Sequence, residues 1–109
     1  YTQYLLRANR AEAKAILTET AQFMERHFTT AGTYVGGALL SNVSPKGATG
    51  SAIKYDISFS VDPTATVFVL QAVPKGGQTS DKCKTLTLSN TGEQTAAGEK
   101  NTALAVECW

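Results

Sequence analysis

No stretch of the chain strings together about eighteen apolar residues, so none of it reads as a bilayer-spanning helix. An excess of one charge is also missing. Ten Lys and Arg stand against nine Asp and Glu, a net charge of +1, which argues against a nucleic-acid binder held by bulk electrostatics. His27 is the one imidazole, and it has no triad partner placed by sequence. Cys83 and Cys108 lie 25 positions apart, outside any C-x-x-C pair. With one His and no C-x-x-C pair, a zinc site is not expected. No Gly-rich stretch joins a strand to a helix in the P-loop or Rossmann manner. The sequence shows no signal peptide and no initiating Met, and the helix is expected to open at Tyr1 without a cap, as in a truncated or processed fragment.

Glycine and proline are absent from Tyr1 to about Thr30, where Ala, Leu, Glu, Lys, Arg and Gln dominate. Those are helix formers, and the run predicts one helix about 45 Å long. At 100° per residue, Leu6, Ala13, Leu17, Thr20, Met24 and Phe28 fall together, flanked by Leu5, Ile16 and Phe23. That arc is wide enough to face a sheet. Ala8, Ala11, Ala15 and Gln22 lie opposite. Either these small side chains let a second helix approach closely, or alanine simply stabilises a solvent face. Arg7, Arg10 and Lys14 form a third strip beside the apolar arc, with phosphate, lipid headgroups, acidic side chains or plain solvent as its partners. Gly32 follows the last periodic residue as a C-cap.

The remaining chain is too short to cover such a rod end to end, so its N-terminal part is expected to project from a small sheet. With 109 residues and 42 % hydrophobic content, the chain has room for one domain with one modest core. Residues 31–54 form an irregular connection broken by Gly32, Gly36, Gly37, Pro45, Gly47 and Gly50. Val35, Leu39, Leu40 and Val43 are expected to tuck against the helix or a sheet edge. Residues 55–109 carry the strands. Tyr55 to Val61 alternates cleanly, Thr66 to Val73 follows a short turn at Pro63 and Thr64, and Thr85 to Ser89 points Leu86 and Leu88 inward. The economical topology is α+β, a long helix on an antiparallel meander of three strands. Leu104 to Trp109 would add a fourth strand at the edge.

A disulfide between Cys83 and Cys108 is the simpler assignment for the cysteines, and two buried free thiols the other. Closing that loop would stabilise the fold by roughly 3–4 kcal/mol, and it implies an oxidising compartment. Asp56 and Asp62 share an outward strand face but sit too far apart for a carboxylate pair. No catalytic constellation and no cofactor site emerges.

Tyr1-Thr2-Gln3-Tyr4, Arg7, Arg10-Ala11-Glu12-Ala13-Lys14, Ala21-Gln22, Glu25-Arg26 and Gly32-Thr33-Tyr34 resemble the segment that follows the membrane-embedded half-helix of a type IV pilin. Tyr55, Cys83, Thr85-Leu86-Thr87-Leu88, Gly92 and the closing Cys108-Trp109 continue the likeness. Together they resemble minor pilins of the PilE-like group of Gram-negative bacteria. Lys84 departs from the pattern, where relatives commonly carry Gly. The resemblance implies a pilin head with a disulfide-closed C-terminal loop. It also implies a precursor cut by a prepilin peptidase, held in the inner membrane, then extracted into an extracellular fibre among other pilin subunits. Ala8, Ala11 and Ala15 would pack on neighbouring helices, and Arg7, Arg10 and Lys14 would meet acidic groups of adjacent subunits. Roles implied are priming or joining pilus assembly for twitching motility, adhesion or DNA uptake. Alternatives are the major pilin, a type II secretion pseudopilin, or a DNA-uptake receptor using Lys46, Lys54, Lys75, Lys82 and Lys84.

Overall fold

The structure, a computed structural model, describes residues 2–109. Tyr1, counted above in the helix and in the pilin likeness, lies outside the described residues. Helix α1 spans Gln3–Ala31. Thr2 caps it after all: its backbone is extended and its Oγ1 accepts the Leu5 N–H at 3.2 Å, satisfying a donor the helix itself cannot. Gly32 closes the far end at φ 74, and its N–H donates to the Phe28 carbonyl at 2.7 Å. That left-handed conformation is one glycine adopts without steric cost.

Five strands follow in one antiparallel meander whose spatial order is the chain order. They are β1 (Val43–Ser44), β2 (Tyr55–Phe59), β3 (Val69–Pro74), β4 (Leu86–Ser89) and β5 (Gln94–Ala96). The three central strands are those the alternation predicts. In register, Ile57 faces Ala72 across β2 and β3, and Leu70 faces Leu88 across β3 and β4. Strand β3 starts three residues later than expected. Thr64 and Val67 close a turn, with the Thr64 N–H donating to the Val67 carbonyl at 2.9 Å, and this spends the residues that would have extended the ladder.

The two edge strands escape sequence periodicity because they are so short. Strand β5 exists because Thr95 lies opposite Thr87 and Ala96 opposite Leu86. The tail departs from the expected edge strand. Leu104 to Trp109 forms no strand; Ala103–Cys108 is a helix, α2. Thr102 caps it by accepting the Ala105 N–H at 3.2 Å. A six-residue apolar run carries no period that separates strand from helix, and Ala, Leu and Glu tip the local balance.

Ala13, Ile16, Leu17 and Met24 of α1 pack on Tyr55, Ile57, Phe68, Leu70, Ala72, Leu86 and Leu88. Each large side chain so buried contributes about 1.5–3 kcal/mol. At Gly37 the loop after α1 passes so close to the helix that a methyl there would overlap the Met24 side chain. Of the four loop residues expected to tuck in, Leu39 and Val43 are partly covered, while Val35 and Leu40 are exposed.

The projecting N-terminal part is not observed. Leu6 is 2 % exposed and Arg10 6 %, and the first turn alone stands clear, with Tyr4 74 % exposed. The polar crossing after β3 accounts for this. It coils into a 3-10 helix, Gly76–Ser80, and lies along the N-terminal half of α1. Gln78, fully buried there, donates from Nε2 to the Leu6 carbonyl and to the Tyr55 hydroxyl, both at 2.9 Å, and accepts from Asn9 Nδ2 at 3.0 Å.

Candidate functional site

The outer face of α1 is left uncovered by the fold. Tyr4, Ala8, Ala11, Ala15 and Gln22 are all exposed, and at 100° per residue they share one side of the rod. The strip of small residues is therefore turned away from the sheet, and Tyr4 stands at its N-terminal end.

The basic strip divides into three different environments. Arg7 is exposed. Arg10 turns inward and forms a bidentate ion pair with Asp81, Nε to Oδ2 at 2.9 Å and a terminal guanidinium nitrogen to Oδ1 at 3.0 Å. Side-chain exposures of 8 % and 1 % make this pair buried. Arg10 thus serves its own subunit, contrary to the outward role the resemblance implied. The reason lies in the 3-10 helix, which carries Asp81 over the edge of the apolar arc. Lys14 is half-buried, with Nζ 3.4 Å from the Trp109 carbonyl. Burial, and secondarily the Arg10 charge, lower its pKa.

Cys83 and Cys108 are joined, both fully buried, with their Cα atoms 5.9 Å apart. The bond ties α2 to the start of β4, and no cysteine is free. Lys84, the departure from the pilin pattern, sits at φ 49, in the region where glycine is favoured. Its Nζ donates to the Thr79 carbonyl at 2.7 Å.

The lysines proposed as a DNA-facing cluster are spread among acids. Lys46 meets Glu19 at 3.1 Å, Lys75 meets Asp56 at 3.6 Å and Lys82 meets Glu107. The hydrogen bond from Lys82 is the main reason the Glu107 carboxyl titrates below its usual range. Each pair is about half exposed and contributes little to stability, but together they dilute any positive field. His27 places Nε2 3.0 Å from the Val35 carbonyl at the end of the helix. Among the described residues no group of three or more His, Cys, Asp or Glu side chains could hold a metal. No described helix is long and apolar enough to cross a membrane.

Comparison with known proteins agrees with this architecture. The family model described as type IV minor pilin ComP, DNA uptake sequence receptor, matches residues 1–87. A type IV pilin from Shewanella oneidensis is 31 % identical, with 89 % of this chain and 98 % of that one covered at a TM-score of 0.59. The non-core minor pilin PilV of Neisseria meningitidis superposes at a TM-score of 0.66 over 94 % of this chain and 96 % of its own, at 23 % identity, a likeness of fold. No match is found among curated protein sequences. A long capped helix bound to an antiparallel meander and closed by a C-terminal disulfide is a pilin head, and the chain belongs to the ComP family of type IV minor pilins.

Proposed function

We propose that this minor pilin is a low-abundance subunit that primes or joins assembly of the type IV pilus. Its partners are other pilin subunits, major and minor. Before assembly it is held at the inner membrane and in the periplasm, and afterwards it resides in the extracellular fibre. The observation that carries this reading is the division of α1 into two faces. One is sealed under the sheet from Leu6 to Met24; the other leaves Tyr4, Ala8, Ala11 and Ala15 exposed. Small side chains let two helix axes approach to the short end of the usual 8–10 Å range. Arg7, exposed beside that strip, would meet a carboxylate on a neighbour. The head then needs no catalytic group, since its work is to hold the rod and present loops outside the filament. Deleting the gene tests the role. Loss of surface pili, twitching or transformation is expected; unchanged piliation, motility and transformation would refute it.

A second reading, a receptor for DNA during uptake, is favoured by the description of the matching family. The acid-paired lysines work against a purely electrostatic grip. A gel shift on the purified chain separates the two, because phosphate contacts give a complex whose affinity falls steeply with salt.

A further inference from the structure

We propose that the groove between the β4–β5 turn and α2 binds one neutral hexopyranose ring, as presented at the end of a surface glycan. The groove encloses about 320 Å³ and is walled by Glu93, Gln94, Asn101, Val106 and Trp109. That volume is at the small end of ligand sites. All of these residues lie beyond position 87, where the family match ends.

Trp109 supplies a fixed platform. Its indole Nε1 donates to the Thr95 carbonyl at 2.8 Å, which uses the ring's one polar atom and caps the outer edge of β5. The ring faces carry negative quadrupole density and attract the C–H groups on the apolar side of a pyranose. Val106, 72 % exposed beside it, extends the apolar floor.

The polar side of the groove is made of amides. Gln94 and Asn101 are exposed, and neither side chain is engaged by another group among the described residues. A primary amide offers a donor and an acceptor side by side, the pattern that adjacent ring hydroxyls match. Asn101 is held at φ 58 by the turn into α2, so its direction is set by the backbone. Glu93 is already answered by Lys100 at 3.2 Å. With that carboxylate paired, the lining presents no unanswered charge to recruit an ion, which suits an uncharged ligand. The disulfide and the Thr102 cap hold α2 in place, so little ordering is lost on binding.

The test uses the one tryptophan of the chain. Its indole N–H gives a single cross-peak in a nitrogen–proton correlation spectrum and reports on this groove alone. Methyl galactoside, glucoside and mannoside, and N-acetylglucosamine, are titrated separately into the intact chain. At least one should shift that peak and the Gln94 and Asn101 side-chain peaks together, saturating with a Kd on the order of millimolar. The double variant Gln94→Ala/Asn101→Gly should weaken that binding about ten-fold and leave the chain cooperatively folded, since neither side chain carries a hydrogen bond among the described residues. Absence of saturable shifts with all four sugars would overturn the proposal. So would undiminished binding in the double variant. Shifts produced by a short single-stranded oligonucleotide but by no sugar would overturn it too, and would assign the platform to nucleobase stacking.

Discussion

Replacing Arg10 by Met keeps an unbranched stem of similar reach and removes the guanidinium. Asp81, with 1 % side-chain exposure, then holds its charge with neither of the two hydrogen bonds that now satisfy it. Breaking one side of a buried pair costs about 3–5 kcal/mol, a large part of the roughly 5–15 kcal/mol that a domain of this size has in total. For a chain of 109 residues the thermal midpoint should fall by about 10–20 °C. Asp81→Leu should cost a similar amount by stranding the cation. The double variant Arg10→Met/Asp81→Leu should recover most of the loss, because an apolar pair needs no desolvated charge to be repaid. Urea titrations followed by circular dichroism, with the disulfide intact, give all three values. A cost below about 1 kcal/mol for Arg10→Met, or a double variant equal to the sum of the singles, would refute the reasoning. The same data report on the N-terminal half of α1, because this pair and Gln78 seat the 3-10 helix on it.

Three further outcomes follow from other parts of the fold. Cys83→Ser/Cys108→Ser should lose about 3–4 kcal/mol and free α2, read as a lower urea midpoint and faster amide exchange from Ala103 onward. Ala97 and Gly98 form a two-residue turn with φ 52 and φ 79; Ala97→Asn should stabilise the chain by about 0.5–1 kcal/mol, since Asn tolerates the left-handed region better than Ala. Tyr34 donates to Glu25 at 2.7 Å, and that bond, with burial and the carboxylate's charge adding, pushes its phenol up to about 12. The folded state therefore keeps this proton more tightly than the unfolded chain does. The stability it contributes is complete below about pH 10 and is lost as pH rises through about 12, so urea midpoints should fall over that window in the wild type and fall less in Tyr34→Phe.

How much of this was legible in the sequence depends on the range of the interaction. The 3.6-residue period of Leu6, Ala13, Leu17, Thr20 and Met24 fixes which side of α1 is buried, and Gly32 marks its end; both are local signals. The alternation in Tyr55–Phe59 and Leu86–Ser89 is equally local. Arg10 carries no mark of its burial, because Asp81 is 71 positions away and arrives on a segment that reads as polar loop. Gln78 is hidden for the same reason: a polar residue in a Gly-rich crossing gives no hint that it will be sealed against the Leu6 carbonyl. Strands β1 and β5 are ladder effects, created by the neighbours they pair with. The groove at Trp109 needs β5, the β4–β5 turn and α2 together, and the reading of that tail as a strand could not produce it. The outer strip at Ala8, Ala11 and Ala15 was visible as a pattern, and the fold leaves it exposed, as the proposed partner, a neighbouring subunit, requires.

That partner can be sought directly in sheared filaments. Quantitative mass spectrometry of purified pili should find this chain at a small fraction of the major subunit. Ala11→Arg, which places a long charged side chain in the exposed strip, should leave the thermal midpoint of the purified head unchanged and remove the chain from the filament fraction. A chain missing from wild-type filaments, or an Ala11→Arg variant incorporated as well as the wild type, would contradict the account.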